Sequence, residues 1–322
     1  MQVLCMGEAL IDMLATKEQN DSGTIESFRK FAGGAPANVA VAVAKLGGDS
    51  ALFGKLGKDQ FGHYLHQTLT ELGVDTTFTA FSDKGKTALA FVGLDDEGER
   101  SFDFYIDNAA HTDLTEADLV STLFDRPRIV SFCSGSFSTS ALRQVTEAGL
   151  KQFTDAESVL CLDINYRPAF WDNVALAPEV ISDAAGKVDM IKASREELVD
   201  LYGESQVDSK IQQWLDSGVS LILLTNGAKP VSFYTRDTDG TFPVPEAEVV
   251  DTTAAGDAFV GGFLFMMSNA VVNRHSFVQW AGNFEHILTT LRFATQCGAV
   301  AVARYGAFDA LPDQSHMNDF VQ

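Results

Sequence analysis

The stretch D-T-T-A-A-G-D-A-F, Asp251 to Phe259, sets two carboxylates six residues apart around small residues, at the head of a long apolar run. Small side chains let a phosphate reach the backbone. A helix opening near Ala255 leaves its first N–H groups without internal acceptors, and its dipole adds partial positive charge there. An anion is the natural occupant of such an end. Asp257 then falls in the first turn, beside the anion yet itself anionic. That suits a group that orients or deprotonates a nucleophile, the general-base position of phosphoryl transfer. The plainer reading is that Thr252, Thr253 or Asp257 merely caps a buried helix.

Around this stretch, 322 residues are enough for one large α/β unit or a main domain with an appendage. Net charge is -21, from 23 basic and 44 acidic side chains, and no segment is strongly basic. Nucleic acid is therefore not an expected partner, because backbone binding needs clustered Lys and Arg. Any ATP site must neutralise phosphate locally. Cys5, Cys133, Cys161 and Cys297 lie far apart in apolar contexts and read as reduced core residues of a cytosolic protein. In MQVLCMGEALIDM, Glu8 and Asp12 interrupt the apolar run and no basic residue precedes it, which reads as a first strand rather than a signal peptide. The longest apolar or glycine run, Ala258 to Met267, is about half a membrane span, so no membrane partner is expected. The chain lacks a G-x-x-x-x-G-K-[ST] loop, a G-x-G-x-x-G after a strand, H-E-x-x-H and G-x-S-x-G.

Short apolar runs at 3–7, 129–135, 159–165, 190–194 and 221–225 alternate with helical segments, which predicts a parallel sheet covered on both faces. PANVAVAVAKL, Pro36 to Leu46, predicts a tightly packed helix, and Phe263 to Gln279 and Phe284 to Cys297 predict two more. TALAFVGL from Thr87, the turn DDEG and RSFDFYI to Ile106 read as a hairpin. Together with Ala15 to Phe31 it forms a small sheet, either a lid that keeps water from a phosphoryl-transfer site or an ordinary edge extension.

Three further constellations carry polar chemistry. In F-A-G-G-A-P-A-N, Gly33 and Gly34 allow close backbone approach to a polyol, and Asn38 offers a donor and an acceptor to a hydroxyl; a tight strand-to-helix turn would also explain the glycines. Asp12 follows the first strand, near the carboxyl edge where ligands collect, and suits sugar hydroxyls or a turn. In L-D-I-N-Y-R-P-A-F-W, period-two geometry puts Asp163, Asn165 and Arg167 on one face. Arg167 then reaches either the moving phosphoryl group or a surface carboxylate. LLTNG offers Thr225 and Gly227 to a nucleotide.

GEALIDM, FAGGAPANVAVAVAKLGG, FGKLGKDQFG, TALAFVGLDDEGERSFDFY, LDINYRPAFW and DTTAAGDAFVGG follow one another in the order of a known family. The whole chain resembles the ribokinase-like sugar kinases, the PfkB family, and within it the bacterial fructokinase branch. The resemblance implies a three-layer α/β/α fold with a mostly parallel sheet, one domain over 1–322, and a β lid from about 13–32 and 85–110. It also implies transfer of the γ-phosphoryl group of ATP to the primary hydroxyl of fructose, with Mg2+ and K+. Asp257 corresponds to the base, the backbone of Ala254, Ala255 and Gly256 to the anion hole, and Arg167 to a catalytic cation. Sugar roles fall on Asp12, Gly33, Gly34, Asn38, Asp163, Asn165, Arg167, Asp257 and the lid residues Phe102, Phe104 and Asn108. Nucleotide roles fall on Lys192, Ser194, Thr225, Gly227 and Thr295, Mg2+ through water on Glu197, and the K+ loop on Asp251, Thr253, Ala301, Arg304 and Gly306. A cytoplasmic homodimer paired through the lid is the implied assembly. Ribose, 2-keto-3-deoxygluconate and aminoimidazole riboside are alternative acceptors, and a catalytically weakened sugar-binding or regulatory protein is the alternative class.

Four departures from the family pattern stand out. Ala254 replaces Gly, and its methyl is harmless only at negative φ. Pro230 replaces a second Gly after LLTNG, Ser194 replaces the Asn of N-x-x-E, and Thr295 replaces an Asn or His near the adenine.

Overall fold

The computed structural model describes residues 1–20, 23–94 and 100–318, without side chains for 16–20, 23–25, 94 and 100–102. The strands in chain order are β1 (Val3–Met6), β2 (Leu10–Asn20), β3 (Gly23–Gly33), β4 (Ser50–Gly57), β5 (Thr79–Ser82), β6 (Ala88–Leu94), β7 (Arg100–Tyr105), β8 (Ile129–Cys133), β9 (Val159–Asp163), β10 (Met190–Ser194), β11 (Leu221–Asn226), β12 (Lys229–Tyr234) and β13 (Asp239–Phe242). The main helices are α1 (Ala35–Lys45), α2 (Gln60–Glu71), α3 (Ser140–Asp155), α4 (Ala177–Ala185), α5 (Arg195–Tyr202), α6 (Val207–Ser217), α7 (Ala255–Ala270), α8 (Arg274–Ala281) and α9 (Phe284–Val302).

The uncharged runs pair as expected. A nine-stranded sheet has the order β13-β12-β11-β10-β9-β8-β1-β4-β5, parallel from β11 to β5 and closed at one edge by the antiparallel β12 and β13. Alternate residues of each central strand serve two cores. Val3 and Cys5 of β1 face the layer of α1, α2, α7, α8 and α9, while Leu4 and Met6 face that of α3 to α6. Rings such as Phe263 on one side and Phe132, Phe153 and Trp214 on the other are fully buried, each worth about 2–3 kcal/mol. Small residues let α1 and α7 nearly touch, since a Cβ on Gly261 would collide with that of Ala42. A separate sheet, in the order β3-β2-β6-β7, joins the β2–β3 pair inserted between β1 and α1 to the β6–β7 pair that follows β5.

Two predicted boundaries move. Phe263 to Gln279 is not one helix: α7 stops at Ala270, and α8 restarts at a 109° bend where Asn273 caps it by accepting from the Ser276 N–H at 2.9 Å. Nor does the β9 strand run on to Arg167. It ends at Asp163, and Asn165 turns into the left-handed region at φ 37°. Among the described residues, no single helix is long and apolar enough to cross a membrane.

Candidate active site

Because β1, β8, β9, β10 and β11 are parallel, their carboxyl ends share one edge, and the residues that follow them gather there. Glu8 follows β1, Cys133 closes β8, Asp163 ends β9 with Asn165 two residues beyond, Ser194 ends β10 and Gly227 follows β11. α7 points its amino end at the same place and carries Asp257 in its first turn. Its N-cap residue, Ala254, lies at φ 58° and ψ 8°, the left-handed region in which the methyl is strained.

Asp257 is only 7% exposed and is held from two sides. Asn38, in the first turn of α1, donates from Nδ2 to Oδ2 at 2.7 Å, and Asn165 donates to Oδ1 at 3.4 Å. The left-handed turn at Asn165 is what brings its amide there, in place of the period-two face expected from the sequence. Burial pushes the Asp257 pKa up; the Asn38 hydrogen bond and the charges of Lys192 and Arg167 work the other way. The result is a carboxylate with a raised affinity for a proton, as a general base needs. Asn38 Oδ1 is buried without a partner, a free acceptor beside that carboxylate.

Behind the first turn of α7, Lys192 donates to both oxygens of Asp163, at 3.0 and 3.2 Å, with both side chains almost fully buried. Burial opposes the Lys192 charge, but the Asp163 and Glu197 carboxylates outweigh it and raise its pKa. A Cβ on Gly256 would sit 3.3 Å from this ammonium. A side chain at 256 would push the ammonium back by a few tenths of an ångström from the helix end where an anion is expected. Lys192 and Asp163 thus act on the anion site as one pair.

The sugar-side residues gather partly as expected. Gly34, at φ 102°, packs so closely that a Cβ would lie 2.7 Å from the Glu8 carbonyl oxygen. Gly33 leaves room for the Asp12 carboxylate, whose pKa burial, Asp257 and Asp251 raise to about 7. Glu8, Cys133, Gly135, Asn165, Arg167 and Phe170 line a small cavity. Phe104, from the small sheet, packs on one lining residue, its ring 5.3 Å from that of Phe170. Arg167 is 51% exposed and stands 3.7 Å from Glu197, so the surface-pair reading of the sequence is met alongside its place in the cavity. Asn108 is exposed and left-handed at φ 52° and lines none of the cavities described here. The Phe102 side chain lies outside the described residues.

On the other side of the α7 amino end lies an apolar cavity of about 300 Å³. Thr225, Gly227, Ala255, Gly256 and Thr295, far apart in sequence, all line it. So do Thr252 and Phe259, which the sequence reading held only as a cap candidate and the end of its motif, and the 244–249 segment, which no motif marks. Thr295 spends its hydroxyl on the Leu291 carbonyl at 2.9 Å, so it offers this cavity mainly shape. A β-bulge between Leu224 and Asn226 takes up the strand register opposite Pro230. Ser194 lies outside the cavity. It caps α5, donating its N–H to Glu197 Oε2 at 2.8 Å and accepting the Glu197 N–H at 3.1 Å. That capping box takes one Glu197 oxygen, and Arg167 faces the other.

Asp251 organises the loop before α7. Its Oδ1 accepts the Thr253 N–H at 2.8 Å and its Oδ2 the Gly306 N–H at 3.1 Å. Arg304 contributes a backbone N–H to the Ala301 carbonyl at 3.1 Å, and the Ala303 N–H bonds the same oxygen, so Ala301 has little left for a cation. Among the described residues, no group of three or more His, Cys, Asp or Glu is placed to hold a metal. Glu8 is the residue the sequence reading missed. It was visible only as a charge interrupting an apolar strand, yet it is 7% exposed and borders the same cavity as Asn165 and Arg167.

Residues 1–314 match the family model described as pfkB family carbohydrate kinase. The chain belongs to this family. Its relatives include a probable chloroplastic fructokinase-6 of Arabidopsis thaliana, 37% identical over 98% of this chain and 81% of that protein. A fructokinase from Xylella fastidiosa, solved with bound ATP, superposes with a TM-score of 0.93 at 38% identity, covering 100% of this chain and 98% of that one. A double mutant of a fructokinase from Vibrio cholerae O395, solved with fructose, ADP and potassium ion, has a TM-score of 0.87 at 32% identity, covering 100% and 98%. The family assignment accounts for the nine-stranded sheet flanked by helices and for the additional small sheet.

Proposed function

We propose that the chain is a fructokinase that transfers the γ-phosphoryl group of ATP to the primary hydroxyl of fructose, releasing fructose 6-phosphate and ADP. One observation carries the residue assignment. The Asn38-held carboxylate of Asp257 stands at the α7 amino end, with the Asn165 and Arg167 cavity on one side and the Ala255 and Gly256 cavity on the other. That arrangement suits a neutral polyol and a nucleotide meeting at one acid, and the named activities of the relatives supply donor and acceptor.

In the reaction, Asp257 takes the proton of the primary hydroxyl as its oxygen bonds to the γ-phosphorus. The bond between that phosphorus and the β,γ-bridging oxygen breaks, and ADP leaves with the electron pair. Negative charge growing on the phosphoryl oxygens meets the N–H groups of Ala255, Gly256 and Asp257, the Lys192 ammonium beneath Gly256, and Arg167 from the sugar side. One well-aimed donor in such a hole is worth roughly 3 kcal/mol in the transition state. Asp12, Asn38 Oδ1 and the Gly33–Gly34 backbone bind sugar hydroxyls, and the small sheet with Phe104 closes over them as a lid.

Mg2+, which would lend charge to the nucleotide phosphates, would be held through water by Glu197, whose carboxylate keeps lone pairs beyond the capping-box bond to Oε2 and the Arg167 contact at 3.7 Å. For K+, the backbone carbonyls of the loop that Asp251 orders are the fitting donors. The exposed rings of Phe28 and Tyr105 on the small sheet support pairing of two copies there, and four buried free cysteines agree with a reducing cytoplasm. A side-by-side assay of fructose, ribose, 2-keto-3-deoxygluconate and aminoimidazole riboside with ATP tests the acceptor. Fructose should show the highest kcat/KM; a roughly tenfold preference for another acceptor would reassign the site.

A further inference from the structure

Glu8 plays no part in the chemistry derived above, yet it is buried between the two halves of the sugar end. Its backbone packs on the start of α1, where a Cβ on Gly34 would lie 2.7 Å from the Glu8 carbonyl oxygen, and the backbone of Ala35, the first residue of α1, favours its ionised form. The α1 N-cap is Gly34, which has no side chain to satisfy the first N–H groups, and a carboxylate near that end is favoured by them. One turn further on, the same helix carries Asn38, which holds Asp257 at 2.7 Å. On its other side Glu8 shares a cavity with Asn165, Arg167 and Phe170, and the Arg167 charge favours its ionised form.

We propose that Glu8 is a positioning residue for the sugar half of the kinase site, setting the start of α1 so that Asn38 meets Asp257 and drawing Arg167 over the acceptor. The inference rests on the fructokinase reading and deepens it. The charged and titratable groups facing Glu8 are Asp257 from α7, Arg167 after β9 and the Cys133 thiol at the end of β8. Burial, chiefly, raises the Glu8 pKa to about 7, so it gains its charge near neutrality. Asp12 titrates in the same range and forms a background common to every variant.

Glu8→Gln keeps an acceptor oxygen near the start of α1 but removes the charge that attracts Arg167. Its KM for fructose should rise roughly tenfold, the size of one charge-assisted contact, with KM for ATP and Tm near wild type. In wild type, KM for fructose should fall more steeply as pH rises through about 7 than it does in Glu8→Gln. Glu8→Asp, which draws the charge back by one carbon, should also raise KM for fructose alone while keeping the steep pH dependence. Two results overturn the proposal: wild-type KM for fructose in both variants, or equal increases for fructose and ATP with a lowered Tm, which marks Glu8 as merely structural. Absence of fructose turnover in wild type would instead sink the fructokinase reading itself.

Discussion

Ala254 offers a prediction whose sign is fixed by one torsion angle. At φ 58° and ψ 8° its Cβ crowds the following carbonyl, a cost of about 1–2 kcal/mol for an L-residue. Ala254→Gly removes that cost but adds freedom to the unfolded chain, which returns about 0.5–1 kcal/mol. The methyl is partly buried against the main core, so its loss takes back a few tenths more. The balance is a gain of about 0.5 kcal/mol, or about 0.5–1 °C in Tm for a chain of this size. Ala254→Val goes the other way, because a β-branched side chain in the left-handed region loses roughly a further 1 kcal/mol or more. Urea unfolding of the three proteins, read at the midpoint, should rank Gly above Ala above Val. The kcat of Ala254→Gly should equal or exceed wild type, since the first-turn donors of α7 stay in place. If Gly were the least stable of the three and Val the most, the strain argument would be refuted.

Three other outcomes follow from the same geometry. The raised pKa of Asp257 means that kcat/KM falls as pH drops through it; Asn38→Ala removes a hydrogen bond to the charged form, so the pKa rises further and the acid limb moves to higher pH. A pH–rate profile with an unmoved acid limb would contradict this. Lys192→Met leaves Asp163 buried without its partner and should cost about 3–5 kcal/mol by denaturant unfolding, whereas Lys192→Met with Asp163→Leu should recover most of it. Equal losses in the single and double variants would show that the pair is not the unit described. Arg167→Lys keeps the charge but loses the planar fork, and should lower kcat/KM for fructose roughly tenfold, checked by steady-state kinetics.

Much of the fold could be read from the chain because its physical causes are local. Uncharged runs such as VLCLD have nowhere to go but the middle of a covered sheet, and the alanine–valine repeat of α1 states its burial outright. The break at 271–273 was less visible, since the only signal was one capping Asn inside an apolar stretch. Within the site, Asp257 could be singled out because small residues and a helix start surround it in sequence. Asn38 and Asn165 could be named as site residues but not as its partners, because Asn38 lies 219 residues away and Asn165 reaches it only through a left-handed turn that period-two reasoning cannot foresee. Glu8 was hidden for a similar reason. A single carboxylate in an apolar run becomes meaningful only once the start of α1 is seen to lack its own cap.

The central claim is that the acid at the amino end of α7 deprotonates the sugar. Its most direct test is the rate of ATP-dependent fructose phosphorylation by wild type and Asp257→Asn, which keeps the shape and one of the two amide contacts, with Tm measured alongside. The account predicts a fall in kcat of about 10²–10⁴-fold at nearly unchanged KM for ATP. Equal rates in the two folded proteins would contradict it.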